Sequence, residues 1–344
     1  MKKRSVCRPA HGMVFVLCLL LCGFPRALHA LEQAATPITV TDFRGRDLVF
    51  ERPVSRIVCL IESALSGLYM LGAEERVVGI SRNVYTESVN RYYASLDDRI
   101  RSKALPAPGN WDFINLESVV SLRPDVVILW SEQTEAIASL EQRGIPVYGV
   151  FLQRLEDVYR EISSLGSMTG CPSRAAGLIR YTKQNLGRIE ERVRALPAER
   201  RPGVYFMWAQ GPLETSCGES TVEDLIALAG ARNVCASLPR EHLVVNMEQI
   251  LSWNPDLVVM WYNTRLDPED LAKAGQWQAV TAVRNGRVHE LPDVFLCDLW
   301  TLKFPYAVWM LAKWSHPDLF SDIDLEEEKE GMLNFLYDRK LHVR

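Results

Sequence analysis

The chain has 344 residues, of which 48% are hydrophobic and 24% charged, and it carries a formal net charge of -4. That length is too great for one small core and suits two domains, while the composition is that of an ordinary globular protein. A disordered chain would be less hydrophobic and a nucleic-acid-binding chain would be basic, so both classes fit poorly.

Residues 1–30 have the layout of a secretory signal peptide. A basic start (MKKR) precedes an apolar stretch at residues 12–24, too short to span a bilayer as a helix, and the segment ends in the small residue Ala30. We therefore predict cleavage after Ala30 and a periplasmic location, leaving 34 basic and 43 acidic residues. A lipid anchor at Cys22 is the alternative, but Leu21 is bulky where a small residue is expected. No later segment is apolar enough to cross a bilayer.

Five cysteines remain after residue 30: Cys59, Cys171, Cys217, Cys235 and Cys297. The number is odd and no CxxC pair occurs, so neither a disulfide framework nor a zinc ribbon is indicated. In an oxidising compartment one pair can close, and spacing favours Cys217 with Cys235. Buried or free thiols are the alternative.

The first half of the chain reads as strand, helix, strand, loop, helix, strand. A β-type run at residues 56–61 leads into a helix and strand at residues 68–80, and a second helix and strand occupy residues 115–130. Apolar strands that alternate with helices are typical of a parallel sheet covered on both faces.

An insert at residues 82–110 lengthens this half. From Gly72 to Pro124 is 52 positions, against 25 from Gly230 to Pro255 in the second half. The insert is rich in Tyr and Arg and ends in ALPAPGNW, a rigid loop pattern. Because it follows the second strand, we expect it at the mouth of a ligand crevice, where it would supply Tyr85, Arg91, Tyr92, Tyr93 and Trp111.

Residues 172–196 predict one long helix between the halves. Pro172 suits a first helical turn, and apolar residues keep a helical period as far as Leu196. Such a helix, about 35 Å long at about 1.5 Å per residue, is a stiff connection, unlike a Gly/Ser or Pro-rich linker.

The second half repeats the plan of the first, at residues 203–208, 225–236 and 246–261. The repeat is clearest in NLESVVSLRPDVVILW (residues 115–130) and NMEQILSWNPDLVVMW (residues 246–261). The chain then closes with a helix from about Leu325, with Asp324 as its N-cap. The predicted fold is α/β, with two parallel-sheet, Rossmann-like lobes joined by one rigid helix and a ligand cleft between them.

The corresponding division of the chain is 1–30 signal peptide, 31–155 N-terminal lobe, 156–198 linker with the long helix, 199–316 C-terminal lobe and 317–344 C-terminal helix and tail. Two facing parallel sheets place the carboxyl ends of their strands around one crevice, which is where α/β sheets bind ligands. An exported acidic protein of this plan, without enzyme motifs, is best interpreted as a capture protein.

Three segments carry a resemblance to a known family. RIVCLIESALSGLYMLGAEERVVGIS, GNWDFINLESVVSLRPDVVILW and TSCGESTVEDLIALAGARNV together resemble the iron-chelate and vitamin B12 family of substrate-binding proteins of ABC importers, the class with a helical backbone, over residues 56–315. The resemblance implies a ligand held between two lobes. Many members have Ser-Pro after the first strand, whereas this chain has Ile61-Glu62, which leaves the identity of the ligand open.

The same resemblance implies a docking role for two glutamates. In the family one glutamate on each lobe meets arginines of the membrane permease dimer, and the matching positions are Glu117 and Glu219. Complementary charge would fix the register of docking. A helix-capping role for Glu117 is the alternative and is compatible with docking, since acid in a first turn is stabilising. Glu248, its counterpart in the repeat, is interpreted as a cap.

Candidate ligand contacts are the residues predicted at strand ends and in crevice loops. They are Glu62, Ser63, Arg82, Trp111, Trp130 and Gln133 from the first half and Trp208, Gln210, Cys217, Trp261, Tyr262, Phe295, Asp298, Trp300 and Lys303 from the second. Aromatic walls suit a large or flat ligand, although each tryptophan could equally pack a lobe core. Trp111 also matches a ligand-facing aromatic of the vitamin B12 binder. Arg82 and Lys303 could hold an anionic chelate or be solvated, and Cys217 and Cys297 are interpreted as incidental.

The expected cargo is a metal complex, an iron chelate or haem first and a corrinoid second, carried by a monomer with no resident cofactor. Molybdate or a bare metal ion is the alternative cargo, because IESALSG and TSCGES could bind an oxyanion at a helix N-terminus. An exported enzyme is the remote alternative, since GxSxG, HExxH and GxGxxG are all missing from the sequence.

Overall fold

The computed structural model describes residues 36–339. The predicted signal peptide, its cleavage site and Cys22 lie outside the described residues. No helix within residues 36–339 is long and apolar enough to span a membrane.

The first half of the described chain forms six strands and six helices. The strands are β1 (Ile38–Thr41), β2 (Asp47–Phe50), β3 (Ile57–Cys59), β4 (Val77–Ile80), β5 (Val126–Trp130) and β6 (Val147–Val150), and the helices are α1 (Glu62–Met70), α2 (Glu87–Leu96), α3 (Asp98–Arg101), α4 (Leu116–Ser121), α5 (Thr134–Glu141) and α6 (Leu155–Met168). Helix α7 (Pro172–Val193) then leads to the second half.

The second half contributes another six strands and six helices. The strands are β7 (Gly203–Met207), β8 (Glu214–Thr215), β9 (Arg232–Asn233), β10 (Leu243–Val244), β11 (Leu257–Met260) and β12 (Val288–Glu290), and the helices are α8 (Thr221–Leu228), α9 (Met247–Trp253), α10 (Pro268–Lys273), α11 (Thr281–Arg284), α12 (Phe304–Ser315) and α13 (Leu325–Tyr337).

Two parallel sheets of the same topology confirm the predicted α/β fold. The first has the strand order β4-β3-β5-β6 and the second β9-β7-β11-β12. Every residue of β3, β6, β7 and β11 is buried, as expected for strands covered on both faces. We call the sheet β3–β6 with its helices the N-terminal lobe, and the sheet β7, β9, β11 and β12 with its helices the C-terminal lobe.

The sequence repeat has a structural reason in each lobe. Asn115 and Asn246 cap α4 and α9, since each side-chain oxygen accepts a backbone N–H bond at 2.9 Å, from Ser118 and Gln249. The aspartate of each Pro-Asp pair precedes a strand, and its side chain accepts a hydrogen bond from the backbone at the start of the neighbouring strand, β3 in the first sheet and β7 in the second. Asp125 accepts from the Arg56 backbone N–H at 2.9 Å, and Asp256 from that of Gly203 at 2.7 Å.

Helix α7 joins the lobes through a shared core. It begins at Pro172 and buries one apolar stripe that includes Leu178, Leu186 and Ile189. A single buried apolar cluster contains Ile128 of β5, Leu186 of α7 and Val259 of β11. Because the two sheets and α7 share one close-packed core, a hinge motion between the lobes would have to expose buried apolar surface.

The insert at residues 82–110 differs from the aromatic rim expected of it. It folds as a short 3₁₀ turn (Arg82–Tyr85) followed by α2 and α3, and it buries Tyr92 and Tyr93. Tyr92 stacks on Phe295 with 4.3 Å between ring centroids, and Arg91 pairs with Asp293 at 2.8 Å. Tyr92 and Arg91 therefore join α2 to residues 293–295 and do not line the cleft.

Two short antiparallel strand pairs were not predicted. Strand β1 pairs with β2, and the two-residue strands β8 and β10 pair with each other, both antiparallel. Strands of two to four residues are too short to show a periodicity in the sequence.

Candidate functional site

A cleft of about 460 Å³ lies between the lobes at the carboxyl ends of the strands. Its walls come from the start of α1, the insert, the ends of β5 and β11, and the loop after β12. The lining residues are Glu62, Ser63, Asn83, Thr86, Ser88, Val89, Tyr93, Trp111, Trp130, Trp261, Val294, Phe295, Asp298 and Trp300. The crevice thus lies where the parallel sheets predict it.

Four tryptophans, together with Tyr93 and Phe295, form the aromatic part of the lining. Trp111 and Trp130 belong to the N-terminal lobe, and Trp261 and Trp300 to the C-terminal lobe. The rings of Trp300 and Trp208 are stacked, with centroids 6.0 Å apart and an angle of 6°. Trp208 is only 3% exposed and is not part of the lining; its ring stacks against Trp300, which does line the cleft.

The loop that carries Trp111 is held in place by backbone contacts. The Asn110 side-chain oxygen accepts from the N–H groups of Asp112 and Phe113 at 3.1 Å each, and Gln133 Nε2 donates to the Trp111 carbonyl at 3.1 Å. A Cβ on Gly109 would lie 2.3 Å from the Phe113 carbonyl oxygen, so glycine is needed for this tight turn. Trp111 itself stays 59% exposed. An ordered loop therefore presents a free indole at the mouth of the cleft.

The N-terminal side of the floor is acidic. Ser81 Oγ donates to Glu62 Oε1 at 2.6 Å, and the Tyr93 hydroxyl donates to the Glu62 carbonyl at 2.7 Å. The neighbouring Ser63 is 6% exposed, and its hydroxyl makes no hydrogen bond within the described chain. The cleft therefore holds a fixed carboxylate beside a free hydroxyl.

The C-terminal side of the floor places Asp298 above a buried lysine. Lys303 has no exposed surface, and its Nζ donates to Ser66 Oγ at 2.8 Å and to the Tyr337 hydroxyl at 3.3 Å. Nζ also lies 3.9 Å from the centroid of the Phe295 ring. Lys303 is therefore neither solvated nor part of the lining, the two positions considered for it from the sequence.

Burial shifts the titration of both groups. It raises the pKa of Asp298 to about 6, against the opposing charge of Lys303. It lowers the pKa of Lys303 to about 8, against the opposing charge of Asp298. At neutral pH the two groups are mainly an ammonium and a carboxylate whose charges offset each other.

Five more predicted contacts lie outside the lining, and they are Cys217, Arg82, Tyr262, Gln133 and the exposed Gln210. Cys217 forms a disulfide with Cys235, as the spacing favoured, and it is fully buried. Arg82 is exposed and Tyr262 partly buried, and neither borders the cleft. Gln133 supports the Trp111 loop. Glu62, Ser63, Trp111, Trp130, Trp261, Asp298 and Trp300 are brought together as predicted, although no ligand contact is thereby tested.

Sequence reasoning missed the polar contribution of the insert. The 3₁₀ turn and the start of α2 face the cleft, so its lining includes the polar residues Asn83, Thr86 and Ser88 as well as Val89. From the sequence we expect the insert at the mouth of the crevice, but we assign the ligand contacts to its aromatic and basic residues. The cluster of Asn, Thr and Ser at residues 83–88 was the available indication.

The lining contains two carboxylates and no basic side chain. Across residues 36–339, no group of three or more His, Cys, Asp and Glu side chains is placed to hold a metal ion. A wider groove of about 670 Å³ runs along α6 and α7. It lies on helix surfaces away from the strand ends, where α/β sheets bind ligands, so the cleft between the lobes is the better candidate.

Glu117 and Glu219 are both exposed, one on each lobe. Glu117 lies in the first turn of α4, which Asn115 caps. Glu219 has a left-handed backbone (φ 56°) and directly precedes Ser220, the N-cap of α8. A Cβ on the adjacent Gly218 would meet the Ala236 carbonyl oxygen at 2.2 Å. The Glu219 turn is thus tightly packed against the segment that the disulfide anchors.

Comparison with known proteins identifies the family. The model of the periplasmic binding protein family matches residues 57–294. The chain is 26% identical over 296 residues to the uncharacterised ABC transporter substrate-binding lipoprotein YvrC of Bacillus subtilis, covering 83% of this chain and 88% of that protein. It is 23% identical over 242 residues to the vitamin B12-binding protein of Vibrio parahaemolyticus, covering 70% of this chain and 82% of that protein.

A solved relative has the same fold. The molybdate-binding protein MolA of Haemophilus influenzae is 24% identical over 327 residues, covering 87% of this chain and 90% of that protein. Its molybdate-bound crystal structure superposes with a TM-score of 0.76 over 88% of this chain and 98% of that chain, at 20% identity. The matched region contains both sheets and α7, and the chain therefore belongs to the periplasmic binding protein family.

Proposed function

We propose that the chain is the substrate-binding protein of an ABC importer, which captures a metal complex in the periplasm and delivers it to a membrane permease. The observation that carries the proposal is the cleft between two rigidly joined lobes, lined by four tryptophans. The vitamin B12-binding and ABC-transporter relatives support it. We propose further that the chain acts as a monomer and performs no chemistry on its cargo.

The size and lining of the cleft favour a metal complex over a bare ion. A space of about 460 Å³ is in the range of sites for organic molecules of several hundred daltons, typically about 300–1,000 Å³. A bare ion needs several converging donors, which the described residues do not assemble. Large indole faces are suited to a flat or chelated ligand. Ferric chelates and corrinoids therefore fit best.

Molybdate is the second candidate cargo. The similarity to MolA favours it, as does the free Ser63 hydroxyl in the first turn of α1, because helix N-termini attract oxyanions. Against it stands Glu62, the first residue of the same helix, whose carboxylate would repel an oxyanion at that place.

The cargo can be identified directly. Protein purified from its own periplasm should be examined by native mass spectrometry with metal analysis, and titrated by calorimetry with ferric chelates, haem, cobalamin, molybdate and nickel. We expect a bound mass of several hundred daltons that contains a metal. Submicromolar binding of molybdate or nickel alone would reject the metal-complex cargo.

We also propose that Glu117 and Glu219 dock the two lobes onto basic residues of the permease. Both are exposed and outside the cleft lining. The double variant Glu117→Ala with Glu219→Ala should bind cargo normally but fail in uptake by whole cells. Glu248→Ala is the matched control, since Glu248 is also exposed and occupies the equivalent first turn of α9. Loss of cargo binding by the isolated double variant would show that these residues serve the cleft or the fold.

A further inference from the structure

We propose that Glu62 is a specificity-determining residue that restricts the cargo to ligands without net negative charge. The inference rests on the proposed function, because it concerns the same cleft and the same transported ligand. It adds the charge class of that ligand and the way it is oriented.

The geometry fixes the Glu62 carboxylate in the cleft. One oxygen is satisfied by the buried Ser81 hydroxyl at 2.6 Å, and the other makes no hydrogen bond to residues 36–339. The Tyr93 hydroxyl holds the Glu62 backbone carbonyl at 2.7 Å, so the residue is anchored at two points. Beside it lies the free Ser63 hydroxyl. Both residues line the cleft, and the free oxygen of the Glu62 carboxylate can only accept a hydrogen bond.

Two positive charges close to the cleft are already matched. Lys303 is fully buried and faces Asp298 and Asp293, so it offsets acid beneath the floor and cannot touch a ligand. Arg91 is paired with Asp293 at 2.8 Å. Glu62 is thus left without a basic partner in the lining.

Arg82, which directly precedes the lining residue Asn83, is exposed and lies outside the lining. An anionic ligand would lose part of its hydration in the cleft without gaining a cationic partner, which is unfavourable. A cationic or amide-bearing edge could instead meet Glu62 and Ser63 while its faces lie against the tryptophans.

The test uses two ligand series whose members keep the same metal-binding framework and differ in net charge. The ferric series is ferrioxamine B (a monocation), its N-acetyl derivative (neutral) and its N-succinyl derivative (a monoanion). The corrinoid series is aquacobalamin in weakly acidic buffer (a monocation), cyanocobalamin (neutral) and a cyanocobalamin monocarboxylate (a monoanion). Calorimetry on the full mature protein gives the ratio of monocation to monoanion affinity within whichever series binds.

We expect the wild-type protein to bind the monocation at least about tenfold more tightly than the monoanion, a modest effect for one fixed charge in a partly desolvated cleft. Glu62→Gln should bring that ratio close to one, and Glu62→Asp should retain most of it. Glu117→Gln is the matched control, because it neutralises an exposed carboxylate outside the lining, and it should keep the wild-type ratio.

Two results would overturn the inference while leaving the importer function intact. One is a wild-type protein that binds the monoanion as tightly as the monocation. The other is an unchanged ratio in a Glu62→Gln variant whose circular dichroism and melting temperature show it to be folded. If neither series binds and molybdate does, the metal-complex cargo fails and the inference fails with it.

Discussion

Truncation of Trp111 tests the aromatic wall with little risk to the fold. Trp111 is 59% exposed and is held by the backbone of its loop, whose hydrogen bonds do not involve the indole. Trp111→Ala should therefore leave the free energy of unfolding nearly unchanged, within about 0.5 kcal/mol, as for most surface substitutions. Its effect on ligand affinity should be much larger.

The magnitude follows from the free indole surface. A tryptophan side chain can bury up to about 250 Å², so 59% exposure leaves roughly 150 Å² for a ligand to cover. A ligand that covers one face removes about half of that area from water. At about 25 cal/mol per Å² the lost affinity is about 2 kcal/mol, or roughly thirtyfold in the dissociation constant.

The assay is calorimetric titration with the cargo that native mass spectrometry identifies, and thermal melting checks the fold. Phe113→Ala is the matched control, because Phe113 is 57% exposed in the same loop but does not line the cleft. Its dissociation constant should change by less than about twofold. Equal affinity losses in the two variants, or no loss in Trp111→Ala, would refute the idea of an aromatic platform at the mouth.

Three further outcomes are expected. Burial raises the pKa of Glu161 to about 8, so the folded chain keeps a proton that the unfolded chain releases. The free energy of unfolding should therefore fall as pH rises from about 5 to 8. Glu161→Gln should flatten this pH dependence in melting curves, and an unchanged pH dependence would contradict the assignment. Replacing Cys217 and Cys235 by alanine should lower the free energy of unfolding by about 2–4 kcal/mol in urea titrations. Cargo affinity should stay constant, and a fall in affinity would show that one of these residues serves the cleft. Because α7 and the shared core join the lobes, small-angle scattering should show no large fall in the radius of gyration on cargo binding. The same result is expected for Asp224→Asn, which removes the ion pair between Asp224 and Arg154.

Sequence by itself determined the architecture, because the architecture depends on local and repeated patterns. The run of buried strands, the two Asn-capped helices before Pro-Asp, and the long helix after Pro172 all have periods or caps that a single segment displays. The repeat then required two similar sheets. The capping of α13 by Asp324, which accepts from the Glu326 backbone N–H at 2.8 Å, was predictable for the same reason.

The tertiary structure alone decided which side chains face the cleft. Lys303, Trp208 and Cys217 occur in segments that the sequence places near strand ends, yet one is buried under Phe295, one stacks behind Trp300 and one is bonded to Cys235. Each outcome depends on a partner distant in sequence, as for Lys303, whose hydroxyl partners Ser66 and Tyr337 belong to α1 and α13.

The net charge of the cleft could not be predicted from the sequence, for the same physical reason. Composition gives the number of basic residues but not where their charges are compensated. Arg91 and Lys303 both belong to segments that border the cleft, and only packing shows that Arg91 meets Asp293, that Lys303 faces Asp298 from below, and that Glu62 is left uncompensated. A residue type is a local property, whereas the electrostatic field at a site depends on every charge that folding brings within a few ångströms.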